Sequence, residues 1–540
     1  MSVFTAHTDT FARDQLPPEK LWPALDFSAL PELLQTSRLN AATELLDRTI
    51  QRTGGDRAAL HFPGGRWTYQ ELQQKANQIA QVLIDSYGLV PGNRVLLRAP
   101  NNAMLVACWF AVLKAGGIGV CTMPLLRARE LRYILDHAQV NIAVTDARFE
   151  KELDSAIEQT QREIPVVRFG NAELEVEMLQ QPTEFEDVQT APTDIAIVAY
   201  TSGTTGSAKG TVHFHRDLIA VCDTWSKHVL RPEPDDIFCG SPPLAFTYGL
   251  GGLVLFPMRV GASALVVEQT APPQLLEAIA RHRPSIIFTS PTGYRAMLTR
   301  LADFDLSSLR KCVSAGETLP LSTFEAWKAV TGIEIIDGIG ATELLHIFIS
   351  ASGSDIKPGS TGKIVPGYRA CVVDDDMREV PRGVIGKLAV QGPTGCRYLG
   401  NEERQRAYVR NGWNLTGDAY IQDEDGYFWY QARADDMIIS SGYNISGPEV
   451  ENVLLEHPCV LECGVVGVPD AERGHIVKAF IVLRPGHAAG DALVKELQMH
   501  VKSQIAPYKY PRAIEFVDAL PRTNTGKLQR FRLRETETNA

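Results

Sequence analysis

At 540 residues the chain is too long for one hydrophobic core, so two or more domains are expected; 44% apolar and 22% charged residues are ordinary for a soluble globular protein. The formal net charge of −11 argues against nucleic acid as a main partner, because a phosphate backbone calls for basic surface, while a local basic groove for one nucleotide stays compatible with it. Nine scattered cysteines without a Cys-x-x-Cys, no His-Glu-x-x-His and a polar opening from Met1 to Arg13 point to a reduced, cytoplasmic protein without zinc, in which Cys459 and Cys463 serve core packing.

In chain order, helical patterns over 40–52 and 69–87 precede a short strand at 95–98. The most membrane-like stretch, 104–126, is interrupted by Lys114, Gly116, Gly117 and Pro124, which predicts a buried helix followed by a buried strand. A helix at 129–138, strands at 142–145 and 195–199 and a helical pattern at 218–225 follow. Then come a strand at 264–267, a helix at 273–280, strands at 286–289 and 333–336, and between those two a helix at 322–330. Such alternation predicts parallel sheets covered by helices, an α/β fold. From about 362 to 430, dense glycines and turn residues predict antiparallel hairpins, a small β-barrel-like subdomain. The residues after Asp436 read as a compact domain of their own, and the chain divides into an N-terminal domain at 1–434 and a C-terminal one at 435–540.

Tyr200 to Gly210 reads Tyr-Thr-Ser-Gly-Thr-Thr-Gly-Ser-Ala-Lys-Gly. Its glycines permit close backbone approach to a polyanion, Thr201, Ser202, Thr204 and Thr205 add hydroxyl donors, and Lys209 adds a positive charge, so the loop suits phosphates. A plain connecting loop is the alternative. Neither Gly-x4-Gly-Lys-Ser/Thr nor Gly-x-Gly-x-x-Gly occurs, which disfavours a P-loop NTPase or a Rossmann dehydrogenase. Further on, Asp337 to Glu343 reads Asp-Gly-Ile-Gly-Ala-Thr-Glu, a strand ending in a glycine turn where Thr342 could meet a phosphate and Glu343 a magnesium ion. In Thr416-Gly417-Asp418 a carboxylate stands on a tight turn, suited to two ribose hydroxyls. Arg433-Ala434-Asp435-Asp436, Ser440-Ser441-Gly442-Tyr443 and Pro521 to Arg530, with Lys527 on a glycine-flanked loop, complete the set. Each taken alone is most often structural or solvated surface.

Together, in order, spacing and identity, these segments resemble the adenylate-forming superfamily of acyl-CoA synthetases, adenylation domains and luciferases over nearly the whole chain. Gly340-Ala-Thr-Glu-Leu-Leu-His-Ile-Phe348, Phe246-Thr-Tyr-Gly-Leu-Gly251 and Ala506-Pro-Tyr-Lys-Tyr-Pro-Arg512 are similar to benzoate-type aryl-CoA ligases. The opening Phe4-Thr-Ala-His to Phe11-Ala-Arg-Asp, with Arg38-Leu-Asn and Val95 to Asn102, resembles 2-aminobenzoate–CoA ligases.

The resemblance implies a large N-terminal α/β domain and a small mobile α+β C-terminal domain. It also implies a two-step reaction. A carboxylate attacks the α-phosphate of MgATP to give acyl-AMP and pyrophosphate, and the thiol of coenzyme A then takes the acyl group and releases AMP. By resemblance, Thr201, Ser202, Gly203, Thr204, Thr205 and Lys209 hold the β- and γ-phosphates, with Gly316 and Glu317 also in the nucleotide site. Thr342 meets the α-phosphate, Glu343 the magnesium, and Asp418 and Arg433 the ribose, while Lys527 bridges the carboxylate and the α-phosphate. Phe246, Tyr248, Gly249, Ala315, Gly340 and His346 line the acyl pocket; Asp435 matches the pivot of a domain rotation that brings Gly442 to the site for the thiol. Ala208 stands where a proline usually precedes the loop lysine, and Ile339 where a tyrosine commonly stacks on adenine. The expected partners are an aromatic acid, ATP and coenzyme A, with no membrane and no nucleic acid, in a monomer or homodimer. Benzoate or a hydroxybenzoate stands close behind 2-aminobenzoate as substrate. An enzyme loading a carrier protein, or an inactive sensor of aromatic acids, are the rival readings.

Overall fold

The computed structural model describes residues 4–538 apart from 202–207, 434–435, 441–442, 471–472, 506 and 523–527. Short runs of Val, Ile and Leu, buried on both faces, form the strands of two large sheets, as parallel sheets covered by helices require. The first sheet runs Val166–Phe169, Ile142–Asp146, Arg94–Arg98, Ile118–Thr122 and Ile195–Thr201 in parallel, with Lys209–Phe214 antiparallel at its edge. The second has a parallel centre in the order Ile335–Gly340, Lys311–Ala315, Ile286–Thr289, Ile237–Gly240, Ser263–Leu265 and Ala58–Phe62, closed by antiparallel strands at both edges. The barrel-like subdomain is a five-stranded antiparallel sheet that includes Gly386–Gln391, Trp413–Gln422 and Phe428–Arg433.

Local chemistry explains the helices that hold these sheets. Thr68 and Glu71 form a capping box at the start of Tyr69–Asp85. The interrupted apolar stretch is the buried helix Ala103–Lys114, capped by Asn102, followed by the buried strand Ile118–Thr122. Gly116, at φ 74°, makes the turn between them. Lys114 is fully buried at the helix end, yet its ammonium lies 2.7 Å from Asp47 and 2.8 Å from Asp187, so the charge is compensated.

Several elements differ from expectation. The helix of 40–52 contains a π-helical turn, Thr43–Asp47, before Arg48–Thr53. The pattern at 218–225 belongs to a helix that starts at His215 and widens into the π-helix Cys222–Leu230. The strand of 264–267 is Ser263–Leu265, and that of 333–336 is Ile335–Gly340, reaching into the glycine turn. Lys209–Phe214 was not foreseen as a strand, because Gly210 at its start reads as loop; tertiary pairing with Ile195–Thr201 supplies its hydrogen bonds.

The C-terminal domain packs Gly447–Glu456 and Asp491–Gln504 on a three-stranded sheet of Val460–Asp470, Gly474–Leu483 and Ala513–Phe516. Its separate core includes Val450, Leu454, Val465, Ile481, Leu497 and Val501. At the opposite end of the chain, the first residues lace the parts together. The Ala6 amide donates to Asp194 at 2.9 Å, Arg94 pairs with Asp9 at 2.6 Å, and the Gln405 side-chain amide donates to the Leu21 carbonyl at 2.9 Å. Leu25 also forms a parallel bridge with Gly392.

Candidate active site

The central strands of the second sheet deliver several of the expected residues to one edge, the carboxyl ends of parallel strands, where open α/β sheets bind ligands. Ala315 ends one strand and Gly340 its neighbour. From Gly340 the chain makes a single turn of 3₁₀ helix, Thr342–Leu344, and Leu345 takes a positive φ of 73°. That reversal returns the chain antiparallel through Ile347–Ser350, with Gly340 opposite Ile347. A Cβ at Gly340 would come within 2.8 Å of the His346 backbone, so the tight hairpin requires glycine there.

His346 therefore enters a nest of rings. Its centroid lies 4.6 Å from Phe256, 5.3 Å from Trp225 and 5.7 Å from Tyr248. It is only 3% exposed, and neither ring nitrogen has a close hydrogen-bond partner among the described residues. Burial pushes its pKa down to about 3, outweighing the Tyr248 backbone, which lies near enough to raise it slightly, so the imidazole is neutral. The Tyr248 hydroxyl is shared between the carbonyls of Thr289 and Val313, at 3.3 and 3.2 Å, and burial keeps it protonated. Phe246 is half-buried just ahead of Tyr248. At Gly249, an added Cβ would lie 2.2 Å from the Pro243 carbonyl oxygen, so this glycine serves a close backbone contact. Gly251, which ends the motif from Phe246 but has no role assigned from sequence, abuts the imidazole: a Cβ there would stand 2.4 Å from Cδ2.

On the other side of the turn, Thr342 and Glu343 are held from the edge strand of the first sheet. His213 donates from Nε2 to the Thr342 carbonyl at 2.7 Å. The segment through Arg397, Tyr398 and Leu399 pairs with this strand, the Val212 amide donating to Arg397 at 2.8 Å and the Leu399 amide to Gly210 at 2.9 Å. Arg397 is anchored by Asp217 at 3.0 Å, both side chains fully buried. Tyr398 then donates its hydroxyl to Oε1 of Glu343 at 2.5 Å, while the Lys209 ammonium lies 5.7 Å from its ring centroid. Burial, reinforced by the Glu343 charge, keeps this phenol protonated. His213 and Tyr398 had no motif around them to mark them.

Beyond the same turn, Asp418 and Arg433 face each other on adjacent strands, with Nη1 3.1 Å from Oδ1. Gly417, at φ 79°, lets the guanidinium lie over the backbone, since a Cβ would meet it at 2.8 Å. Glu317 accepts from the Thr292 amide and hydroxyl at 3.2 and 2.7 Å, next to Gly316 at φ 90°. Asp337, at the head of the glycine turn, is a further residue not singled out from sequence; burial pushes its carboxyl up to about 8. Of the expected residues, Ser202, Gly203, Thr204, Thr205, Asp435, Gly442 and Lys527 lie outside the described residues, whereas Thr201 and Lys209 flank the loop at paired positions of two strands.

Residues 46–398 match the AMP-binding enzyme family and residues 449–527 its C-terminal domain. The chain is 37% identical to the benzoate–CoA ligase of Thauera aromatica over 93% of its own length and 97% of that protein. The chain belongs to this adenylate-forming family, as an aryl-CoA ligase of the benzoate type. Among solved structures, the ligase superposes on the anthranilate CoA ligase AuaEII in complex with anthranoyl-AMP with a TM-score of 0.90 at 37% identity, covering 94% of this chain and 98% of that one. It superposes on a benzoate CoA ligase from Burkholderia xenovorans LB400 with a TM-score of 0.84 at 34% identity, covering 92% and 99%. As an AMP-forming acid–thiol ligase it uses ATP and coenzyme A as substrates. Among its described residues no helix is long and apolar enough to cross a membrane.

Proposed function

We propose that this ligase activates 2-aminobenzoate as its adenylate and transfers the acyl group to coenzyme A. The observation that carries the substrate is His346: a buried, neutral imidazole whose nitrogens have no close partner among the described residues, in a nest of aromatic rings. A flat apolar pocket suits a benzene ring, and an ortho amine would donate to the free imidazole nitrogen. Benzoate would leave that nitrogen unsatisfied, which costs affinity. The likeness to the anthranilate CoA ligase supports the same substrate. Benzoate is the second reading, supported by the names of the other two relatives.

In this reading the loop from Thr201 to Lys209 grips the β- and γ-phosphates, with Gly316 and Glu317 alongside the nucleotide, Thr342 at the α-phosphate and Asp418 with Arg433 at the ribose. We assign magnesium to Glu343. Glu343, a single carboxylate beside the Thr342 hydroxyl, fits an ion that draws its remaining ligands from water and phosphate. The ion would neutralise charge as two anions meet. Lys527 supplies the cation for adenylation. Rotation of residues 435–540 about Asp435 then exchanges it for Gly442, where a missing side chain leaves room for the thiol's arm. With nine free cysteines, the cytoplasm is the fitting compartment.

The substrate is tested by CoA-dependent AMP formation with 2-aminobenzoate, benzoate, 2-hydroxybenzoate and 4-hydroxybenzoate. Highest kcat/KM for 2-aminobenzoate is expected; a higher value for benzoate would discard the amine-reading role of His346 and keep the reaction. The rotation is tested on half-reactions. Lys527→Ala is expected to abolish aryl-AMP formation while still consuming supplied aryl-AMP with coenzyme A. A bulky residue at Gly442 is expected to do the reverse, and equal loss of both halves in either folded variant would count against the exchange.

A further inference from the structure

The hydrogen bond between Tyr398 and Glu343 crosses from one structural unit to another. Glu343 sits on the hairpin of the second sheet, whereas Tyr398 sits on a segment clipped to the edge strand of the first sheet, the strand that begins with Lys209. The phenol is 1% exposed, and its ring is fixed by Tyr408, with centroids 5.8 Å apart, so it has little freedom to move away. Tyr408 carries a second buried hydroxyl, which has no hydrogen-bond partner among the described residues. The two tyrosines therefore differ in one respect that can be tested: one hydroxyl touches the carboxylate and the other does not.

We propose that Tyr398 is a positioning residue for the metal-binding carboxylate, taking up Oε1 of Glu343 and presenting Oε2 to the divalent ion of the nucleotide at a fixed place relative to Lys209. The inference rests on the assignment of the ion to Glu343. A hydroxyl bonded to a carboxylate at 2.5 Å is short and charge-assisted, and it selects one rotamer of a side chain that would otherwise sample several. Residues that orient a metal ligand in this way typically change metal affinity by about 10- to 100-fold when removed.

The test is a titration of Mn²⁺ into the full-length protein with a non-hydrolysable ATP analogue, with free Mn²⁺ followed by electron paramagnetic resonance. Tyr398→Phe is expected to weaken Mn²⁺ binding in the ternary complex at least about tenfold. Tyr408→Phe should leave it within about twofold, well below that range. Glu343→Gln should lose most of it. Far-UV circular dichroism and a retained cooperative melt report that Tyr398→Phe is folded. Wild-type Mn²⁺ affinity in Tyr398→Phe alongside a loss in Glu343→Gln would overturn the positioning role alone. Wild-type affinity in Glu343→Gln would overturn the assignment of the ion, and the positioning role with it.

Discussion

His346 is informative because it is unsatisfied. Buried nitrogen atoms normally have partners, and an imidazole left without one in an aromatic nest is paid for by what binds there. His346→Leu is therefore expected to lower kcat/KM for 2-aminobenzoate by about tenfold or more while changing that for benzoate far less. Equal loss on both acids would reduce the residue to packing. Gly251 gives a second handle, because its missing Cβ is what leaves the imidazole its position. Gly251→Ala is expected to cost roughly 1–3 kcal/mol of stability by overpacking and to impair the aryl acid's kcat/KM, with the KM for MgATP unchanged. The first of these residues was legible in the sequence through the motif Gly340 to Phe348. Gly251 stood inside an equally visible motif, but its contact with His346 joins two segments that only the fold brings together. Tyr398 was not legible at all, since a hydrogen bond across 55 positions leaves no local pattern.

At the level of elements, the buried helix Ala103–Lys114 shows how a charge can end an apolar run. Lys114 sits where the helix meets the π-helical turn that carries Asp47 and the segment that carries Asp187. Lys114→Met would leave the buried Asp187 facing the half-buried Asp47 with no cation between them, and Asp187 is already pushed up by burial. An equilibrium unfolding experiment is expected to show a loss of roughly 3–5 kcal/mol, as when one partner of a buried pair is removed. A loss under about 1 kcal/mol, the range of an exposed pair, would mean that water reaches the cluster. The interruption by Lys114 was read correctly from sequence, because a charge followed by two glycines fits no membrane span. The π-helical turns were invisible there, since a single extra residue in a helical turn barely alters apolar periodicity. The edge strand Lys209–Phe214 was hidden for a different reason: its partner, Ile195–Thr201, supplies the pairing that its own glycine start does not suggest.

At the scale of the whole molecule, buried titratable groups set the pH range of stability. His215 and His346 are both held at about 3 by burial, below the ordinary value near 6.5. Each contributes stability that is present above about 6.5 and is lost as the pH falls toward 3, because the unfolded chain takes up the proton first. Asp337, raised to about 8, works the other way: its contribution is present below the ordinary carboxylate value and is lost as the pH rises through about 8. The Tm is therefore expected to fall on both sides of neutrality. Asp337→Asn should remove the fall between about 6.5 and 8 and steepen the acid side between about 4 and 6.5, and an unchanged slope above about 6.5 would exclude Asp337 as its source. The lacing of the first residues has a consequence for how the chain is made. Leu21 waits for a partner, Gln405, that lies 384 positions later. At roughly 5–20 residues per second, a ribosome takes on the order of 20–80 s to deliver it. During that interval the opening segment can already make its Asp9 and Ala6 contacts to Arg94 and Asp194, but the stretch around Leu21 lacks its final partner. The Gln15–Gly400 and Ala24–Gly412 backbone bonds wait equally long, so the clasp between the start of the chain and its far side closes only after both large sheets have been synthesised.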